Sequence, residues 1–192
     1  MSSKHTILLG GEIRTDIAFK QKAGERFASF RLKCGKAENV TAVAKGTLAA
    51  SISDDYSNGS KIYARGKLAK IDLGHLTQRT EHVVFLIEEL LPVEEMDKEF
   101  INQFEIEGTI LNVSRNTKGS VLTLKLPIQG NADFSISAQC HGTNPRTIIG
   151  SKHIFKGSLG NTYENHPQLK NKILRQSFFL FVRGIYQQRN DK

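Results

Sequence analysis

Lys61, Tyr63, Arg65 and Lys67 stand at alternate positions, with Ile62, Ala64, Gly66 and Leu68 between them. A β-strand sends successive side chains to opposite faces, so this spacing gathers cations and a phenol ring on one face and small or apolar groups on the other. Phe27, Arg31 and Lys33 share a face in the same way, opposite Ala28, Phe30, Leu32 and Cys34. Cations that hold phosphates beside rings that stack on bases are the chemistry of single-stranded nucleic-acid binding, where each stacked base contributes roughly 1–3 kcal/mol. Stacking needs an exposed ring, so two readings of each aromatic stay open. Phe27 stacks or packs beneath a helix or loop; Tyr63 stacks or is an ordinary half-buried strand residue. Phe30, in the inward phase, and Phe85, in an all-apolar strand, read as core or subunit-interface residues.

Catalytic chemistry has little support. The histidines at 5, 75, 82, 141, 153 and 166 are scattered, and no CxxC, HExxH, Walker or GxSxG motif occurs. Cys140 and His141 are neighbours on a strand and point to opposite faces, so they do not make a nucleophile and base. Cys34 and Cys140 each fall in an apolar phase, which reads as buried free thiols rather than a disulfide or metal pair and fits a reducing compartment. No enzyme, cofactor or metal is expected.

Lys and Arg number 27 against 19 Asp and Glu, a net charge of +8 that favours a polyanion, although a solvated surface would account for it too. Residues 1–87 carry 14 basic and 8 acidic residues, and residues 99–192 carry 12 and 6. Between them, residues 88–98 hold Glu88, Glu89, Glu94, Glu95 and Asp97 against one Lys. Two basic bodies thus flank an acidic connector. The longest uncharged apolar runs, Val83–Ile87 and Phe178–Val182, have five residues each, far short of the roughly 20 that a membrane helix needs. The opening Met1-Ser2-Ser3-Lys4-His5 lacks an apolar secretion core, so the expected location is cytoplasmic.

The elements that must position these residues are short alternating segments broken by Gly, Asn and Asp. In the first half, strands are predicted at about 5–19, 26–35, 39–46, 60–70 and 81–90, with a short helix at about 47–57. Ile7, Leu9, Gly11 and Ile13 share the inward face of the first. In the second half, strands are predicted at about 103–115, 120–128, 133–141, 151–159 and 176–187, with Phe134, Ile136, Ala138 and Cys140 inward and a hairpin turn at Asn116-Thr117-Lys118-Gly119. Leu9-x-Gly11-x-Ile13 has its echo in Ile106-x-Gly108-x-Ile110, and Gly66-Lys67-Leu68 in Gly157-Ser158-Leu159, as in a diverged copy. The second helix slot, 143–150, contains Pro145 and should be a turn or absent. Five strands with one helix after the third is the order of an oligonucleotide-binding (OB) barrel. The fold class is therefore all-β: an OB domain over 1–91, an acidic linker over 92–100 and a diverged OB domain over 101–192.

The first half resembles the bacterial-type single-stranded-DNA-binding (SSB) family. The family's opening strand is similar to Ile7-Leu8-Leu9-Gly10-Gly11-Glu12-Ile13-Arg14-Thr15-Asp16, its second to Phe27-Ala28-Ser29-Phe30-Arg31-Leu32, and its fourth to Gly59-Ser60-Lys61-Ile62-Tyr63-Ala64-Arg65-Gly66-Lys67-Leu68. The resemblance covers roughly 5–90 and implies sequence-tolerant binding of single-stranded DNA in replication, recombination or transfer. The family's stacking tryptophans have no counterpart in Val40-Thr41-Ala42-Val43-Ala44-Lys45, so stacking would fall to Phe and Tyr. Its acidic, hydrophobic tail tip has no match in Gln187-Gln188-Arg189-Asn190-Asp191-Lys192, which puts recruitment of replication or recombination proteins through such a tip in doubt. Two barrels per chain point to a monomer or homodimer.

The candidate binding set is Phe27, Arg31, Lys33, Lys61, Tyr63, Arg65 and Lys67, with Arg79 in the loop 71–80, Lys156 on a strand of the second barrel, and Lys170, Lys172 and Arg175 in the loop 160–176. Loops at these two places commonly wrap the ligand of an OB barrel. Phe178–Val182, apolar on both faces, reads as a buried strand or an oligomer contact. RNA stays open as a ligand, because stacking does not read the sugar. The alternative is a protein-interaction module of a replication or primosome-like complex.

Overall fold

The computed structural model describes residues 5–22, 24–35, 37–72, 81–92, 100–117, 119–141, 148–165 and 173–187. In chain order the elements are β1 (His5–Ile13), β2 (Ala18–Lys22), β3 (Glu25–Cys34), β4 (Ala37–Lys45), α1 (Gly46–Asp55), β5 (Lys61–Asp72), β6 (Glu81–Leu90), β7 (Ile101–Asn116), β8 (Gly119–Ile128), β9 (Asn131–His141), β10 (Lys152–Asn165) and β11 (Ile173–Gln187). Among the described residues the fold is thus nearly all β with one short helix.

Alternation builds these strands. Ala28, Phe30, Leu32 and Cys34 of β3 are buried and their neighbours are not; Leu122, Leu124, Leu126 and Ile128 of β8 repeat the pattern. Helix α1 buries Ala49 and Ile52, three residues apart on one face, against β3 and β4. Its N-cap, Lys45, makes no side-chain capping bond, so packing rather than capping holds it.

The pairings close two rings. In the first, β1 pairs β3, β3 pairs β4, β4 pairs β6, β6 pairs β5, and β5 returns to β1; only β4–β6 is parallel. In the second, β7, β8, β9, β11 and β10 follow the same circuit, and only β9–β11 is parallel. The rings join where β1 and β7 pair antiparallel from His5↔Ile106 to Gly10↔Ile101. One apolar cluster runs from Ile7 in the first ring to Val182 in the second.

Further contacts clasp the rings together. The Thr41 amide donates to Gln176 Oε1 at 3.1 Å, and the Lys70 amide to the Gln129 carbonyl at 2.8 Å. His5 bridges the rings, its Nδ1 3.4 Å from the Pro127 carbonyl and its Nε2 3.4 Å from the Leu68 amide that donates to it. That arrangement needs the neutral imidazole with its proton on Nδ1. Burial, the largest cause, holds the His5 pKa below the usual histidine range, against the raising effect of the Pro127 bond.

Two expectations change. The strand expected over 5–19 is two strands, because the chain bends between Ile13 and Ala18. The Arg14 amide bonds the Arg31 carbonyl at 2.8 Å and the Arg31 amide bonds Thr15 Oγ1 at 3.1 Å, which turns β2 out as an outrigger on β3. Glu88 and Glu89 belong to β6, as the strand expected over 81–90 has it, so the acidic stretch 88–98 is not all connector. Residues 93–99 of the expected linker lie outside the described residues, as do most of the second helix slot and Lys118; residues 149 and 150 form a turn. Cys34 and Cys140 are free and buried, and burial pushes the Cys34 thiol far above its ordinary pKa.

The echoed glycines perform the same task in both rings. An added Cβ would stand 2.0 Å from the Leu86 carbonyl oxygen at Gly66 and 1.8 Å from the Phe181 carbonyl oxygen at Gly157. Each lies at a register shift, in β5–β6 and in β10–β11 respectively, where the strand coils tightly against its neighbour. The obstacle is backbone, which cannot swing aside. Gly66→Ala and Gly157→Ala should therefore each destabilise the chain by about 1–3 kcal/mol or more, read as a lower urea midpoint at unchanged slope. Midpoints equal to that of the parent would contradict the close approach.

Candidate nucleic-acid interface

On β5, Ile62, Ala64 and Leu68 are buried, and Lys61 and Arg65 are exposed on the opposite face, as the alternation requires. Tyr63 has the outward phase yet is only 3% exposed, which corrects the reading of it as an exposed platform. The cause is its rung neighbour Gly10, which has no side chain: a Cβ there would stand 2.0 Å from Tyr63 Cδ1. The ring lies down into that gap instead of standing into solvent. Among the cations, Arg65 pairs with Glu89 at 2.9 Å and Lys67 with Glu88. Such exposed pairs are worth little and yield to competing ions, so they temper the β5 cations without removing them.

The second concentration lies on β2, β3 and β4. Directly opposed residues of antiparallel strands share a face. Lys20 of β2 opposes Phe27 of β3, and Phe27 opposes Lys45 of β4, so the ring sits between two lysines. The Lys45 ammonium lies 5.1 Å from the ring centroid and 3.5 Å from Glu25. Phe27 and Lys45 are half-buried; Lys20 and Lys22 are exposed. Arg31 and Lys33 continue the same face of β3. Lys33 opposes Glu12, and Glu12 opposes Lys61, so the cations of β3 and β5 meet across one β1 rung. Arg14 Nη1 donates to Glu12 Oε1 at 2.8 Å and shares that carboxylate. Phe19, 45% exposed, sits on the other face of the β2–β3 hairpin, opposite Ala28.

Lys20, Lys45 and Phe19 were missed from the sequence. The alternation Phe19-Lys20-Gln21-Lys22 was a usable signal, but without the bend after Ile13 the rung from Lys20 to Phe27 could not be drawn.

In the second ring, Lys156 is exposed, paired with Glu105 at 2.8 Å, and 5.3 Å from the centroid of Tyr186. The hydrogen bond that Lys156 donates to Glu105 holds the Lys156 pKa above its ordinary value, so it stays cationic. The outer face of β8 and β9 carries Thr123, Ser135, Ser137, Gln139 and a Lys125 paired with Asp133. Phe178, Leu180 and Val182 are buried inward, while Phe179 and Phe181 meet edge to face at 5.0 Å outside. Arg175 lies in β11 opposite Glu164, and its side chain is outside the described residues. Arg79, Lys170 and Lys172 also lie outside them. The structure thus gathers Phe27, Arg31, Lys33 and Lys61 on one connected surface, sets Arg65 and Lys67 farther along β5, and places Lys156 on the second ring.

The same fold occurs in the solved structure of the wild-type single-stranded DNA binding protein from Thermus aquaticus. The two are 13% identical with a TM-score of 0.71, over 100% of this chain and 96% of that one. A deletion mutant of that protein matches at 14% identity and a TM-score of 0.71, over 100% of this chain and 98% of the other. At these identities the likeness is one of fold. No protein-family model matches the sequence, and no curated protein matches it.

Proposed function

We propose that this chain binds single-stranded DNA with little regard to sequence and protects or organises it in replication, recombination or transfer. The observation that carries this reading is Phe27 held between Lys20 and Lys45 on β3 and β4. These are the second and third strands of the first ring's circuit, the face on which OB barrels take oligonucleotides. Every base has a π-face and every nucleotide a phosphate, so a ring flanked by cations binds without reading sequence. The fold shared with a protein named for single-stranded DNA binding agrees with this.

In this reading the rings are two OB barrels in tandem, with the boundary in 92–100, and the protein acts by binding, without catalysis or cofactor. Arg31, Lys33 and Lys61 hold phosphates beside Phe27, with Arg79, Lys170, Lys172 and Arg175, the last in β11, as further candidate phosphate contacts.

The test is the affinity for a fluorescent oligo-dT of about 30 nucleotides, long enough for two barrels at roughly 4–16 nucleotides each, across a salt series. Affinity should fall with salt at a log–log slope near −0.7 per phosphate contacted, and duplex DNA should compete poorly. Equal affinity for duplex would overturn the proposal. Tight association with another protein in the absence of any nucleic-acid binding would favour the interaction-module alternative.

A further inference from the structure

Tyr186 lies at the end of β11 with 52% of its surface in solvent. Its neighbour Ile185 turns inward opposite Phe155, so Tyr186, opposite Ile154, belongs to the outer face. Its ring lies back over Gly184, where an added Cβ would stand 2.8 Å from both Cε2 and the hydroxyl oxygen. The Lys156 ammonium is 5.3 Å from the ring centroid and is fixed by Glu105 at 2.8 Å.

These groups share one line of opposed residues through four strands, Thr6 to Glu105 to Lys156 to Gly184. That line crosses the junction of the two rings, so the outer surface is continuous from β1 to β11. Tyr63 lies against Gly10 of the neighbouring strand and Tyr186 against Gly184 of its own, but Tyr63 is covered and Tyr186 is half in solvent. A ring laid along the sheet at a glycine offers a flat, supported surface, which is the geometry a nucleobase stacks on, and a cation held over that ring suits the phosphate of a stacked nucleotide.

We propose that Tyr186 and Lys156 form a second nucleobase-stacking site for single-stranded nucleic acid, on the second ring and separate from the β2–β3–β4 face. This inference rests on the proposed function.

The sequence contains no Trp, so Tyr186→Trp in the full chain introduces a single indole. Titration with labelled oligo-dT should quench the indole emission in step with the rise in oligonucleotide anisotropy. Tyr186→Ala should weaken binding by about fivefold to a hundredfold, and Tyr186→Phe should retain it, at the affinity a stacked ring contributes. Oligonucleotide binding with an unquenched indole and unchanged affinity in Tyr186→Ala would overturn the second site and leave the proposed function standing. Absence of any anisotropy change with the parent chain would overturn both.

Discussion

Phe27→Ala should weaken binding of a single-stranded oligonucleotide by roughly 1–3 kcal/mol, about fivefold to a hundredfold in affinity. In the proposed reading the ring offers its π-face to a base, and the lysines on either side hold that nucleotide's phosphates close. Removing the ring loses the stacking partner and the 5.1 Å contact that orients Lys45. Phe27→Tyr keeps a ring and should keep most of the affinity. The double variant Lys20→Ala/Lys45→Ala should lower the salt slope by about 1.4, which is two phosphates at roughly 0.7 each. Urea midpoints measured alongside separate the readings. Phe27 is only half-buried, so a large fall in stability with unchanged affinity would make it a packing residue and remove it from the interface.

Tyr63→Ala should act in the opposite sense. The side chain is 3% exposed and fills the space above Gly10, so its truncation empties a packed site and should cost about 3–5 kcal/mol of stability, the range for large aromatic residues cut to alanine. Tyr63→Phe preserves that packing and should bind oligonucleotide as the parent does. If Tyr63→Ala were as stable as the parent and bound DNA more weakly, the ring would be a ligand contact and its burial here misleading about its role.

Strand phase was legible because a barrel wall is half-buried and demands period two; the inward sets of β1, β3 and β5 follow directly from it. The two glycine echoes were legible for a similar reason, since a strand pressed against a neighbouring carbonyl admits no side chain at Gly66 or Gly157. What depended on strands far apart in sequence was not. Whether Tyr63 is exposed is decided by Gly10, some fifty residues earlier, and by β7 closing on β1. That Glu88 and Glu89 meet Lys67 and Arg65 is decided by the β5–β6 register, which composition does not encode. The Lys20–Phe27–Lys45 line needed both a bend and two registers.

The outrigger β2 stands at the end of the strand order, with β3 on one side and, among the described residues, no strand on the other. A strand with one bare edge is a template on which another chain can add, the usual starting point of edge-to-edge aggregation. β2 is five residues long and exposed throughout, and it carries Lys20 and Lys22. Shortness and like charge both discourage a second copy from pairing there. Lys20, proposed to hold a phosphate, and Lys22 therefore also discourage self-association, and replacing both with alanine should expose a smoother edge and leave a chain more prone to precipitate.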